Sequence, residues 1–182
     1  MDGTVLNECK TCCADNLTQC LSIVFTICLE SLLNTRVTRT MSVPLYVLFA
    51  SATGNAEEIS KRIHESNLTK KYPSQLFALN DFKDKILAKK TDTNPFNMII
   101  VASSTGNGDV PENGDKFWRF IKRTTTPATL FAGVNYGVLG LGDTNYDKFC
   151  FASKQIDKRI GELGGVKYCN HGAADDATGY SV

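Results

Sequence analysis

The sequence predicts an α/β fold, a doubly wound five-stranded parallel sheet, and three observations predict it. From Met41 onward short apolar runs alternate with amphipathic stretches, the pattern of strands joined by crossover helices. The run Asn97 to Ala102 (Asn-Met-Ile-Ile-Val-Ala) is apolar almost throughout, as expected of a central strand buried on both faces. Three of the runs end in loops rich in Gly, Ser and Thr, and open α/β sheets hold their ligands beyond the carboxyl ends of their strands.

The first strand is Leu45 to Phe49, followed by a helix from Ala56 to about Ser66 that carries Ile59 and Ile63 on one face. A short second strand is read at Gln75 to Leu79. The third, Asn97 to Ala102, runs into a polar loop, Ser103 to Gly114, and a helix from about Asp115 to Lys122 with Phe117, Phe120 and Ile121 inward. A fourth strand, Tyr136 to Leu141, precedes a long helix from about Phe149 to Leu163. Gly164 and Gly165 end that helix, and the fifth strand is Val166 to Cys169. Right-handed crossovers permit the strand order 2-1-3-4-5, which places a ligand at the ends of strands 1, 3 and 4.

A chain of 182 residues, 42% apolar and 21% charged, has room for one domain with a substantial core. Its net charge of +1 provides no overall field for nucleic acid or an anionic membrane. Five of the seven cysteines (Cys9, Cys12, Cys13, Cys20, Cys28) crowd the first 28 residues, which argues against a secreted disulfide framework. The apolar run Leu21 to Leu33 is too short to span a bilayer, is broken by Glu30, and lacks signal-peptide flanks. The expectation is a cytoplasmic protein without a membrane span, in which the Asn16 and Asn67 sequons carry no glycan.

The chemistry is concentrated in the loops. Leu45 to Ala56 reads Leu-Tyr-Val-Leu-Phe-Ala-Ser-Ala-Thr-Gly-Asn-Ala, an apolar strand that turns through hydroxyl and glycine residues into a helix N-terminus. Backbone N–H groups, the Ser51 and Thr53 hydroxyls and the helix dipole can converge there on a phosphate. No Gly-Lys-Ser/Thr follows, so the loop is not a Walker motif, and a cofactor monoester is the expected ligand. Gly106 and Gly108 lead to Pro111 rather than a third glycine, which excludes a dinucleotide fingerprint. Ser51 and Ser103 stand where a phosphoacceptor receiver domain needs acids. Asp109, Glu112, Asp115, Asp143, Asp147, Asp175 and Asp176 cluster in or beside the loops. Such a rim could steer a basic partner. Phe117, Trp118 and Phe120 read as helix packing, His64 as a helix-surface residue, His171 as a loop residue and Cys150 as a packing residue. Cys9, Cys12, Cys13 and Cys20 lack paired-knuckle spacing, so no metal site is expected.

Ser-Ala-Thr-Gly-Asn-Ala, Ser-Ser-Thr-Gly-Asn-Gly-Asp-Val-Pro and Gly-Leu-Gly-Asp-Thr-Asn-Tyr-Asp-Lys-Phe-Cys together resemble the FMN loops of the diflavin reductases. That family contains the cytochrome P450, nitric oxide synthase and methionine synthase reductases. Lys-Gln-Ile-Asp-Lys-Arg-Ile-Gly-Glu-Leu-Gly-Gly and Gly-Ala-Ala-Asp-Asp extend the likeness over about Val43 to Gly179. Thr105, Leu-Gly-Leu-Gly-Asp and the Cys after Phe149 resemble the methionine synthase reductase branch. The resemblance implies a flavodoxin-like domain whose Ser51, Ala52, Thr53, Gly54, Asn55 and Ala56 wrap the FMN phosphate. It implies Ser103, Ser104, Thr105 and Gly106 on one side of the isoalloxazine. Leu141, Gly142, Asp143, Thr144, Asn145, Tyr146, Phe149 and Cys150 would flank the other, with Tyr146 stacked on the ring and Asp176 near the ring or ribityl end.

By the same likeness the FMN takes electrons from an NADPH/FAD reductase domain or protein. It passes them to a haem or cobalamin acceptor protein, reductive reactivation of a cobalamin-dependent methionine synthase being one case, and no side chain need act as acid, base or nucleophile. The alternative is a flavodoxin-like protein-binding module or fragment without stable FMN. Residues 1 to 40 match nothing in the family and read as an extension, in which Asn16 to Leu33 could form a helix presenting Leu17, Leu21, Val24, Cys28 and Leu32; residues 41 to 182 read as the domain. The sequence ends at Val182, where the family's last helix would follow, and the expectation is that the N-terminal helix covers that sheet face instead.

Overall fold

The computed structural model describes residues 43–69, 73–90 and 95–179, and the helix expected at Asn16 to Leu33 and the cluster Cys9 to Cys20 lie outside them. The strands are β1 (Leu45–Ala50), β2 (Ser74–Ala78), β3 (Phe96–Ser103), β4 (Val134–Gly142), β5 (Val166–Lys167) and β6 (Gly172–Asp175). The helices are α1 (Asn55–Thr69), α2 (Glu112–Ile121) and α3 (Phe151–Glu162). All strand pairs are parallel, in the order β2-β1-β3-β4-β5, with β6 also on β4. This is the doubly wound arrangement expected from the sequence.

Two apolar layers explain why the sheet is stable. On one face Tyr46 and Leu48 of β1, Met98 and Ile100 of β3, and Tyr136 and Val138 of β4 pack against Phe117 and Ile121 of α2 and Ile156 and Ile160 of α3. On the other face Leu45, Val47, Ile99 and Val101 meet Ala56, Ile59 and Ile63 of α1. Alternate residues of the same strands serve the two layers, because strand side chains alternate in direction, and each helix offers an i, i+3/i+4 stripe. β3 has its buried residues on both sides, as its composition demands.

Departures from the sequence reading have local causes. α1 begins at Asn55, α2 at Glu112 and α3 at Phe151, rather than at Ala56, Asp115 and Phe149. The α2 start is earlier because Asn80 accepts hydrogen bonds from the Lys116 and Phe117 amides and donates to the Glu112 carbonyl, capping the helix from another segment. Leu79–Lys89 forms tight turns that drive Leu79, Phe82 and Ile86 into the core, where a strand residue and loop were expected. The fifth strand is split: β5 pairs with Asn135 and Tyr136, and β6 pairs with Leu139 to Gly142 further along the same edge. Tyr168 and Cys169 lie beyond β5: the Tyr168 amide still donates to the Tyr136 carbonyl at 3.1 Å, while its ring packs over Gly137, where a Cβ would approach it to 2.9 Å. α3 ends at Glu162, and beyond it Gly164 takes a φ of +91° that suits glycine while the Gly165 amide closes back on the Ile160 carbonyl.

Phe117 and Ile121 are buried and Phe120 is half-buried. No helix among the described residues is long and apolar enough to cross a membrane, and no group of metal-ligating side chains occurs among them.

Candidate functional site

The loops after β1, β3 and β4 come together at one end of the sheet and enclose a cleft of about 620 Å³. A volume of this size suits a cofactor-sized molecule. The β1 loop is shaped by Ser51. Its Oγ accepts hydrogen bonds from the Gly54 and Ala56 amides at 3.0 and 3.2 Å, which leaves its O–H free to donate, and its own amide donates to Asn113 Oδ1 at 2.9 Å. Gly54 has φ +98°. That left-handed turn lets the chain reverse directly into α1, so the helix N-terminus, Thr53 and Asn55 meet the cleft together.

The β3 loop is a tight turn closed on itself. The Thr105 amide and hydroxyl both donate to the Asp109 carbonyl, and the Gly108 and Asp109 amides return to the Thr105 carbonyl. Ser103 Oγ reaches the Ala50 carbonyl, and Ser104 Oγ accepts from the Ala152 amide, tying this loop to β1 and to the start of α3.

The β4 loop is fastened by a residue the sequence reading placed only in the acidic rim. Asp175, at the end of β6, accepts from the Thr144 amide at 2.9 Å, the Thr144 hydroxyl at 2.6 Å and the Ala177 amide at 3.1 Å. Those bonds hold its carboxyl below the usual carboxylate range, with the Thr144 hydroxyl as the largest cause. Asp143 in turn accepts from the Asn145 amide. The held loop presents Tyr146, a large aromatic side chain that is 68% exposed on the cleft wall.

Of the residues expected at the site, Ala52, Thr53 and Asn55 line the cleft from β1. Ser103, Ser104, Thr105 and Gly106 line it from β3, and Leu141, Gly142, Asp143 and Tyr146 from β4, with Asp176 at the rim. Ser51, Gly54 and Ala56 lie behind the first wall, where they set the turn. Thr144 and Asn145 are loop residues held by Asp175 and Asp143, and Phe149 packs beside Gly142. Cys150 is fully buried at the entry to α3 with φ +52°, and burial pushes its thiol up to about 11. A thiol so placed is neutral near pH 7 and acts as packing. The lining also includes Asn107, Gly108, Asp147 and Lys148; the sequence reading had these within the loop motifs and singled out neither Asn107 nor Lys148.

The histidines are outside this cleft. His64 is half-buried with Nδ1 2.7 Å from Ser74 Oγ, a helix-to-strand contact rather than a surface position. His171 Nε2 lies 3.0 Å from Ser153 Oγ, and burial lowers its pKa; neither histidine is among the residues that line the cleft.

A helix N-terminus with hydroxyl neighbours at one side of the cleft and an exposed aromatic plane at another fit a molecule that joins a phosphate monoester to a flat ring system. The sequence profile of the flavodoxin family matches residues 47–181. Methionine synthase reductase of Bos taurus is 39% identical over 136 residues, which cover 75% of this chain and 19% of that protein. NADPH-dependent diflavin oxidoreductase 1 of Schizosaccharomyces pombe is 33% identical over 132 residues, 72% of this chain and 22% of that one. The chain thus spans about a fifth of the length of these relatives. Among solved structures, the flavodoxin of Streptococcus pneumoniae TIGR4 aligns with a TM-score of 0.57 at 26% identity, covering 72% of this chain and 84% of that one. A cysteine-to-alanine mutant of the flavodoxin from Pseudomonas aeruginosa aligns at 0.58 and 23%, covering 74% and 85%. Profile, relatives and fold agree with the cleft and its donors: the chain belongs to the flavodoxin family, whose cofactor is FMN.

Proposed function

We propose that this chain carries electrons on an FMN held in the cleft, taking them from an NADPH/FAD reductase module and passing them to an acceptor protein. The observation that carries the reading is the convergence of the α1 N-terminus, the Thr105–Asp109 turn and the Tyr146 wall on one cleft. FMN would supply the redox chemistry when bound, passing electrons on singly. The protein's part is to hold and bias. The Thr53 hydroxyl, the amides of the β1 turn that Ser51 does not already hold and the positive end of α1 serve the phosphate, with Ser51 setting the turn behind them, and each charge-assisted bond contributes about 1.5 to 3 kcal/mol. Tyr146 offers dispersion contact to the ring without adding charge. Asp175 keeps that wall in place through Thr144, and the Asp143, Asp147 and Asp176 carboxylates oppose negative charge on the ring, which suits a donor.

The likeness to methionine synthase reductase and to NADPH-dependent diflavin oxidoreductase supports the donor half of the proposal, and a cobalamin enzyme is the acceptor favoured by the former. The deciding measurement is the visible spectrum of the purified chain after incubation with FMN and gel filtration. Flavin bands near one equivalent are expected. A colourless protein that leaves added FMN fluorescence unquenched would refute the carrier and leave a protein-binding module in its place.

A further inference from the structure

The described residues that line the cleft include three carboxylates, Asp143, Asp147 and Asp176, and one cation, Lys148. Lys148 is built into the wall. Its stem lies against Gly108, where a Cβ would come within 2.9 Å of Lys148 Cδ and 3.0 Å of its Cβ, so the absence of a side chain at 108 is what admits the lysine. Its ammonium sits 5.4 Å from the centroid of Phe151, which is itself partly exposed, and takes part in none of the ion pairs among the described residues. Lys148 is an exposed residue, so its charge stands at the mouth of the cleft, in ion-pair contact with none of the described carboxylates.

The strand order says which part of the ligand meets this charge. The β1 turn that serves a phosphate and the β4 loop that carries Lys148 are separated by β3. Neighbouring strands lie about 4.8 Å apart, so the two loops stand roughly 10 Å apart across the sheet. Lys148 belongs to the side of the cleft walled by Tyr146 and the Thr105–Asp109 turn, the side that takes a ring rather than a phosphate.

Resting on the FMN reading above, we propose that Lys148 tunes the flavin: its ammonium favours the negative charge that reduction places on the ring and offsets the three carboxylates that oppose it. A cation that acts on the reduced ring and not on the neutral oxidised ring changes the affinity for the two forms unequally. The ratio of those affinities is the shift in potential. Removing the charge is expected to weaken binding of fully reduced FMN about tenfold while leaving oxidised FMN nearly unchanged. For the two-electron couple that joins these forms, a tenfold ratio is a fall of about 30 mV.

The experiment uses the full chain with Lys148→Met, which keeps a long apolar stem beside Gly108, and Lys148→Arg, which keeps the charge. Each protein is titrated with oxidised FMN by fluorescence quenching, and its potentials are then read by spectroelectrochemistry. The expected result is similar affinity for oxidised FMN in all three, a lowered potential in Lys148→Met, and a potential close to the parent in Lys148→Arg. Tight FMN binding with the same potential in Lys148→Met and parent overturns the role of Lys148 and leaves the FMN reading intact. A potential that falls equally in Lys148→Arg also overturns it, since the charge would then not be the cause. Failure of the parent chain to take up FMN overturns both.

Discussion

Tyr146 is a 68% exposed aromatic on the wall of a cleft, an arrangement that costs hydrophobic free energy until a flat partner covers it. Tyr146→Ala is expected to raise the dissociation constant for FMN roughly thirtyfold, about 2 kcal/mol, in a fluorescence-quenching titration. An unchanged titration would remove the stacking role. Asp175 acts one step back. Its pKa is lowered in the folded chain, so its contribution to stability is present above the ordinary value of 3.8 and is lost as the pH falls through the depressed folded value. Asp175→Asn should therefore lower the urea midpoint at pH 6, and the gap from the parent should narrow as the pH is taken below 3.8. A gap that widens in acid would show that the carboxylate is not the stabilising form.

Elements meet here with little space between them. β4 carries glycines at 137, 140 and 142, and the α3 face is packed directly onto the second: a Cβ at Gly140 would collide with Ser153 Oγ and lie 3.0 Å from Ser153 Cβ and 3.1 Å from Cys150 Cβ. Gly140→Ala must turn the Ser153 hydroxyl away from the Cys150 carbonyl and His171 and crowd α3 against the sheet. It is expected to destabilise the fold by about 1 to 3 kcal/mol in denaturant melts. FMN binding should weaken with it, because Ala152 at the start of α3 is the donor to Ser104 in the β3 loop. A variant as stable as the parent would mean that α3 is not held at this distance in solution.

Taken as a whole, the molecule is nearly neutral, at +1, yet Asp143, Asp147 and Asp176 line the cleft at one end of the sheet. Electron transfer from the FMN-loaded chain to a basic acceptor protein should therefore slow as ionic strength rises from about 0.01 to about 0.15 M, over which the screening length falls from about 30 to about 8 Å. Stopped-flow reduction rates that stay flat across this range would show that the acidic rim does not steer the encounter.

Sheet order, the central position of β3 and the three loops that meet at the cleft were legible in the sequence because they depend on periodicity and local turn chemistry. Apolar alternation, Gly54 after Thr53 and the Ser/Thr-Gly turns state their structure within a few residues. The split of β5 from β6, the core role of Phe82 and Phe131, the remote capping of α2 by Asn80 and the Thr144–Asp175 clasp were decided by tertiary structure alone. Each joins residues far apart in the chain, so no window of sequence contains both partners. Lys148 is the clearest case: in sequence it is an undistinguished member of the loop after β4, and the tertiary structure sets its stem against Gly108 of another loop and makes it the one cation among the described residues that line the cleft.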